Sequence, residues 1–119
     1  MSASALRNQV QLIGHLGKTP EIRTFGEDRK VANFTLATKE IYYDNKGEKQ
    51  EETQWHNIAV WGKSADIIEK YTDKGSEILV SGKITSRTYN DKDGNKKYFT
   101  EIIANEILLL GKKQEKASS

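Results

Sequence analysis

The chain has two tryptophans, Trp55 and Trp61, and both fall in one stretch, Thr53-Gln54-Trp55-His56-Asn57-Ile58-Ala59-Val60-Trp61-Gly62-Lys63. Successive side chains of a strand point to opposite faces. Read as a strand, the stretch puts Trp55, Asn57, Ala59 and Trp61 on one face and His56, Ile58 and Val60 on the other. The second set suits a core. The first holds two large flat rings with a small residue and an amide between them, which suits stacking against something flat. The alternative is a buried pair, and then each indole N–H needs a partner.

Other aromatic and basic residues gather around this stretch. Tyr42 and Tyr43 end the preceding strand. Tyr89 ends a later strand, on the alternation that also carries Lys83 and Arg87, and Tyr98 lies across the hairpin from it. Lys39, Lys63, Lys74, Lys96 and Lys97 lie close to these elements in sequence. Aromatic platforms interleaved with cations hold single-stranded nucleic acid without reading its sequence. Each stacked base contributes about 1–3 kcal/mol, and the cations meet the phosphates. Phe34 and Tyr71 fit a core better.

Other chemistries fail on spacing. Gly17-Lys18-Thr19 and Gly62-Lys63-Ser64 imitate the end of a phosphate-binding loop, but GxxxxGK[ST] needs an earlier glycine where Leu12 and Asn57 stand. His15 and His56 have no partners at metal-ligand spacing. The chain has no cysteine, which excludes disulfides, thiolate metal sites and a cysteine nucleophile. The carboxylates are scattered. No catalytic residue, metal or cofactor is expected.

These residues must be positioned by strands. Asn8–Leu16 alternates and reads as the first strand, broken by Gly17–Pro20, after which Glu21–Thr24 resumes extended. Phe25–Asp28 reads as a turn, Lys30–Ile41 as the second strand, and Asp44–Glu52 as a long mobile loop. The tryptophan stretch is the third strand. Ser64 reads as the N-cap of a short helix carrying Ile67, Ile68 and Tyr71 on its apolar face, with Gly75 ending it. The fourth strand spans about Glu77–Tyr89. Asn90–Asn95 holds an Asp-Gly hairpin signal, and the fifth strand spans about Lys96–Leu110. Gly14 and Gly82 interrupt long strands and predict a strongly bent sheet. The class is therefore all-β: an OB-fold, a five-stranded Greek-key barrel with one short helix between strands 3 and 4. It spans residues 1–110, and 111–119 read as a polar, disordered tail.

The bulk properties agree with one domain. There are 119 residues, and 19 Lys and Arg against 17 Asp and Glu leave a net charge of only +2. That is no strong basic excess, so nucleic-acid binding would rest on stacking and local charge, with a shallow salt dependence. No stretch has the length of a signal peptide's apolar region or of a membrane span. A cytoplasmic, nucleoid-associated location is expected.

Several segments, taken together, resemble the bacterial single-stranded DNA-binding proteins of the tetrameric OB-fold type. They are Asn8–Gly17 followed by Pro20-Glu21-Ile22-Arg23, Val31–Thr38, Thr53-Gln54-Trp55-His56 with Trp61-Gly62-Lys63, Lys74-Gly75-Ser76, and Ser81-Gly82-Lys83-Ile84 with Arg87. The resemblance covers about residues 8–110. It implies stacking roles for Trp55 and Trp61, and for Tyr42 and Tyr89 where tryptophans are common. It implies phosphate contacts from Lys63, Lys74 and Arg87, and the residue pattern adds Lys39 and Lys83 as cations and Tyr98 as a further ring. It also implies a homotetramer, with His56 at subunit contacts and Asn8, Val10 and Leu12 on a first strand that pairs edge to edge. The implied activity is sequence-tolerant single-stranded DNA binding in replication, recombination and repair, without catalysis. Family members carry a long linker and an acidic tip that recruits replication and repair proteins. This chain ends Lys116-Ala117-Ser118-Ser119, so such recruitment is not expected of it.

Overall fold

The computed structural model describes residues 7–27 and 29–111. In chain order the elements are β1 (Val10–Leu16), β2 (Glu21–Phe25), β3 (Arg29–Tyr43), β4 (Lys49–Trp61), α1 (Lys63–Tyr71), β5 (Glu77–Asn90) and β6 (Lys96–Leu109). Five strands close a ring in the order β1, β5, β6, β4, β3 and back to β1. Among the described residues only β4 and β6 pair in parallel. The barrel and the helix position agree with the OB-fold expectation. The sixth strand, β2, is an addition to it: Glu21–Phe25 pairs along the edge of β3, from Glu21 opposite Asn33 to Phe25 opposite Arg29. The tail beyond Gly111 lies outside the described residues.

The alternation in the sequence produces the core directly. Leu16, Phe34, Leu36, Ile58, Val60, Ile78, Val80 and Ile102 all point into the barrel and are buried. Helix α1 adds Ala65 and Ile68, both fully buried. Each buried aliphatic side chain contributes about 1.5–3 kcal/mol. Lys30 Nζ, on β3, reaches Asp66 at 2.6 Å and Glu69 at 2.7 Å and ties α1 to the sheet. Those hydrogen bonds raise the Lys30 pKa, that from Asp66 most, and Lys30 in turn lowers that of Asp66.

The two interrupting glycines mark close backbone approaches. A Cβ at Gly14 would lie 2.2 Å from the Ala37 carbonyl oxygen, where β1 turns from β5 toward β3. A Cβ at Gly82 would lie 2.1 Å from that of Ile103. Here the β5–β6 register shifts from Ser81 opposite Glu106 to Gly82 opposite Ala104. Asn105 is the extra residue of a bulge, which bends the strand.

Four local expectations are corrected. Asp44–Glu52 is not a long loop: β4 begins at Lys49, and Asp44–Glu48 alone makes the turn. Helix α1 begins at Lys63 with Gly62, at φ 73°, as its N-cap and no side-chain cap. Gly62 supplies the left-handed backbone that the entry requires, so Ser64 lies inside the first turn. The helix ends earlier than Gly75, at Thr72, whose hydroxyl donates to the Ile68 carbonyl at 2.6 Å. Tyr71 and Ile67 are exposed rather than core.

Candidate nucleic-acid interface

The β3–β4 hairpin pairs without a slip from Val31 opposite Trp61 to Tyr43 opposite Lys49. Every side chain therefore keeps its face along the whole hairpin. Trp55, Asn57, Ala59 and Trp61 face outward, and Ile58 and Val60 face the core. Trp55 is 61% exposed and Trp61 is 41% exposed, with the small residue Ala59 buried between them.

Each indole has a distinct support. The Trp55 ring lies over the β1–β2 loop, where a Cβ at Gly17 would come 2.3 Å from Cζ3. Gly17 is held there by its N–H, which donates to the Thr35 carbonyl at 3.0 Å. Trp61 stacks on Phe25, with centroids 5.9 Å apart and planes at 28°. The Arg29 guanidinium lies 5.7 Å from the Trp61 ring.

The expected cations take up positions around these rings. Lys39 stands opposite Thr53 on the Trp55 side, 3.5 Å from Glu51. Lys63, two residues past Trp61, is exposed at the start of α1. Lys74 is exposed beside Gly75, whose N–H donates to the Leu16 carbonyl at 2.8 Å. That bond brings the α1–β5 loop next to Gly17.

A second patch lies on the β5–β6 hairpin. Lys83, Thr85, Arg87 and Tyr89 share a face with their partners Ile103, Glu101, Phe99 and Lys97. Arg87 lies 5.0 Å from the Phe99 ring centroid and 3.9 Å from Glu101 Oε1. A cleft of about 320 Å³ joins the two patches, with Lys18, Arg23, Asn33 and Asn57 on one side and Arg87, Phe99 and Glu101 on the other. A neighbouring cleft of about 430 Å³ is lined by Trp55, His56, Asn57, Ile84, Tyr98 and Phe99, among others. A further groove, about 680 Å³, lies at the far end of α1 and has Lys74 in its lining.

The structure does not bring all the expected residues to one face. Tyr42, opposite Gln50, and Tyr98, opposite Thr88, continue the core-facing sides of their hairpins beyond the barrel. Tyr43 is the tyrosine that shares a face with Trp55. His56 points away from the tryptophans, as expected, and lies 3.0 Å from Thr38 Oγ1 through Nε2. On β1 the side chains of Val10 and Leu12 pack on this chain's own core. Gln11, Ile13 and His15 face out instead. The Asn8 amide donates to the Ile84 carbonyl and accepts from the Ile84 N–H, fastening the start of β1 to β5.

Three residues of the interface are absent from the sequence-based expectations. Phe25 and Arg29 fall in or beside an expected turn, although the alternation Glu21, Arg23, Phe25 carries the signal. Phe99 is legible from its offset to Ile102: if Ile102 faces the core, Phe99 faces out.

Comparisons with known proteins agree with this geometry. The model of the Single-strand binding protein family matches residues 7–110. Single-stranded DNA-binding protein 1 of Chlorobaculum tepidum is 47% identical over 107 residues, covering 89% of this chain and 66% of that protein. The Xylella fastidiosa protein of the same name is 42% identical, covering 91% of this chain and 80% of that protein. The chain spans 62% of the length of a similar Neisseria meningitidis protein. Among solved structures, a Plasmodium falciparum SSB in complex with ssDNA superposes with a TM-score of 0.80 at 36% identity, covering 87% of this chain and 95% of that one. The chain belongs to the single-strand binding protein family.

Proposed function

We propose that this protein binds single-stranded DNA with little regard to sequence and so serves replication, recombination and repair, as a binder and not a catalyst. The observation that carries this reading is the pair of exposed indoles on one face of β4, with Lys39 on the same face and Lys63 two residues past Trp61. Bases stack on Trp55 and Trp61, and on Tyr89 of the second hairpin, at about 1–3 kcal/mol each. Arg87, Lys83 and the lysines near the indoles meet phosphates, and the counterions released make the affinity fall with salt. Tyr42 and Tyr98 serve bases that turn to the inner sides of the two hairpins. The ssDNA in the Plasmodium falciparum complex and the names of the relatives support the same ligand class.

A homotetramer is part of the proposal. Among the described residues, β1 pairs with β5 along Val10–His15 but with β3 only at His15 and Leu16. That leaves one edge of Val10–Gly14 for a second copy. Asn8, Val10 and Leu12 would then contribute through the backbone of that edge, with His56 at a further contact. Titration of intrinsic tryptophan fluorescence with oligo-dT, beside matched duplex and a solution mass measurement, tests this reading. Strong quenching by oligo-dT and a mass of four chains are expected. No quenching at low salt contradicts the DNA reading, and a monomer mass contradicts the assembly.

A further inference from the structure

The two clefts beside the tryptophan face share Asn57, Phe99 and Glu101. A single strand that touches both Trp55 and Arg87 crosses this saddle, so any role for the saddle rests on single-stranded DNA being the ligand. The saddle differs from the rest of the interface in carrying a poorly exposed carboxylate on its floor, whereas Glu21 in the same cleft and Glu51 beside Lys39 are well exposed. The Glu101 side chain is only 15% exposed, and its ion-pair partner, Arg87, is as far as 3.9 Å away. A phosphate there would meet a like charge with little intervening water, where screening is weak. A base edge meets no such repulsion.

We infer that the saddle takes one unstacked nucleobase, with its face on Phe99 and its edge toward Glu101, and that it favours guanine over thymine. The face of Phe99 away from Arg87 is available for this, since the cleft next to Trp55 is lined by Phe99 without Arg87. The edge chemistry gives the preference. Asn57 lines the cleft, and its Nδ2 donates to the Thr100 carbonyl at 3.4 Å, so its remaining polar atom, the amide oxygen, is an acceptor. The Glu101 carboxylate is acceptor-only. Guanine offers adjacent N1–H and N2–H donors to such a floor. Thymine offers one N–H flanked by two carbonyl oxygens.

The test compares the affinity of the full chain for dT15 and for dT15 with one central dG. The wild type should bind the dG-containing strand about fivefold tighter, the low end of what one bidentate contact discriminates. Glu101→Gln should lose that preference. By releasing Arg87 it should also bind dT15 more tightly, with a steeper salt dependence. Asn57→Ala, at an exposed position, should weaken the preference without affecting folding. Equal binding of the two strands by the wild type overturns the inference, as does an undiminished preference in Glu101→Gln. Absence of any quenching by dT15 itself would instead strike the underlying DNA reading.

Discussion

The β3–β4 and β5–β6 hairpins share a tip and differ at the base. In the first tip, Asp44-Asn45-Lys46-Gly47-Glu48, Asp44 Oδ1 accepts the Lys46 and Glu48 N–H groups, both at 2.9 Å. In the second, Asp91-Lys92-Asp93-Gly94-Asn95, Asp91 Oδ1 accepts those of Asp93 and Asn95 at 2.9 and 2.8 Å. Gly47 at φ 78° and Gly94 at φ 83° take the left-handed position in each. The bases part company. The β3–β4 base is flanked by β2, β1 and β6 and carries both tryptophans on a regular ladder. The β5–β6 hairpin bends at the Gly82 bulge and carries Tyr89 and Arg87 farther out. One hairpin carries large rings on an unbroken ladder; the other extends a smaller ring and a cation from a bent ribbon.

Several changes would break or sharpen that contrast. The largest effect should follow Gly82→Ala, which forces a Cβ to within 2.1 Å of a backbone oxygen. Chemical denaturation should show a loss of about 3 kcal/mol, the upper end for overpacking. Trp55→Ala should weaken oligo-dT binding by about 2 kcal/mol while leaving the unfolding midpoint nearly unchanged, because the ring is mostly exposed. Tyr89→Ala should lose about 1 kcal/mol, the low end of the stacking range. Unfolding of Trp55→Ala would show that its ring supports the fold. Arg87→Ala should lower the slope of log K against log salt by less than the roughly 1 of a free phosphate contact, because Glu101 lies 3.9 Å from its guanidinium. Lys39→Ala, whose ammonium is already 3.5 Å from Glu51, should lower it less.

The smallest effect concerns the first tip. The Glu48 and Lys46 N–H groups, Glu48 first, hold the Asp44 carboxyl below its usual pKa of 3.8. A depressed folded-state pKa stabilises the turn at pH above the unfolded value, and that stabilisation disappears as pH falls through the folded value. Amide exchange at Lys46 and Glu48, corrected for intrinsic rates, should therefore quicken below pH about 4. Asp44→Asn should already show faster exchange at neutral pH.

The legibility of the sequence divides along the same line. Where a strand buries one face, as at Ile58 and Val60 or Ile78 and Val80, alternation gives faces and register together. Beyond the barrel both faces of a hairpin meet water, and no hydrophobic period marks the strand. Lys49-Gln50-Glu51-Glu52 therefore reads as loop although it pairs residue by residue with Glu40–Tyr43. The Asp-Gly at 93–94 announces the second tip. Lys46-Gly47 hides the first, because Lys46 stands where the second tip has Asp93, and the aspartate that organises each tip sits three residues before its glycine. Parity from the core is sufficient to place Trp55 and Trp61, and it also gives the sides taken by Tyr42, Tyr98 and Phe99. The Phe25–Trp61 stack depends on a β2–β3 pairing that a five-residue edge strand does not advertise.

The central claim is that the outward face of β4 is where single-stranded DNA stacks. Fluorescence titration of two single-tryptophan forms, Trp61→Phe and Trp55→Phe, with oligo-dT at low salt tests it most directly. Trp55 alone, the more exposed ring, should be strongly quenched. Trp61 alone, already stacked on Phe25, should be quenched less. Saturating oligo-dT that leaves both emissions unchanged would contradict the account.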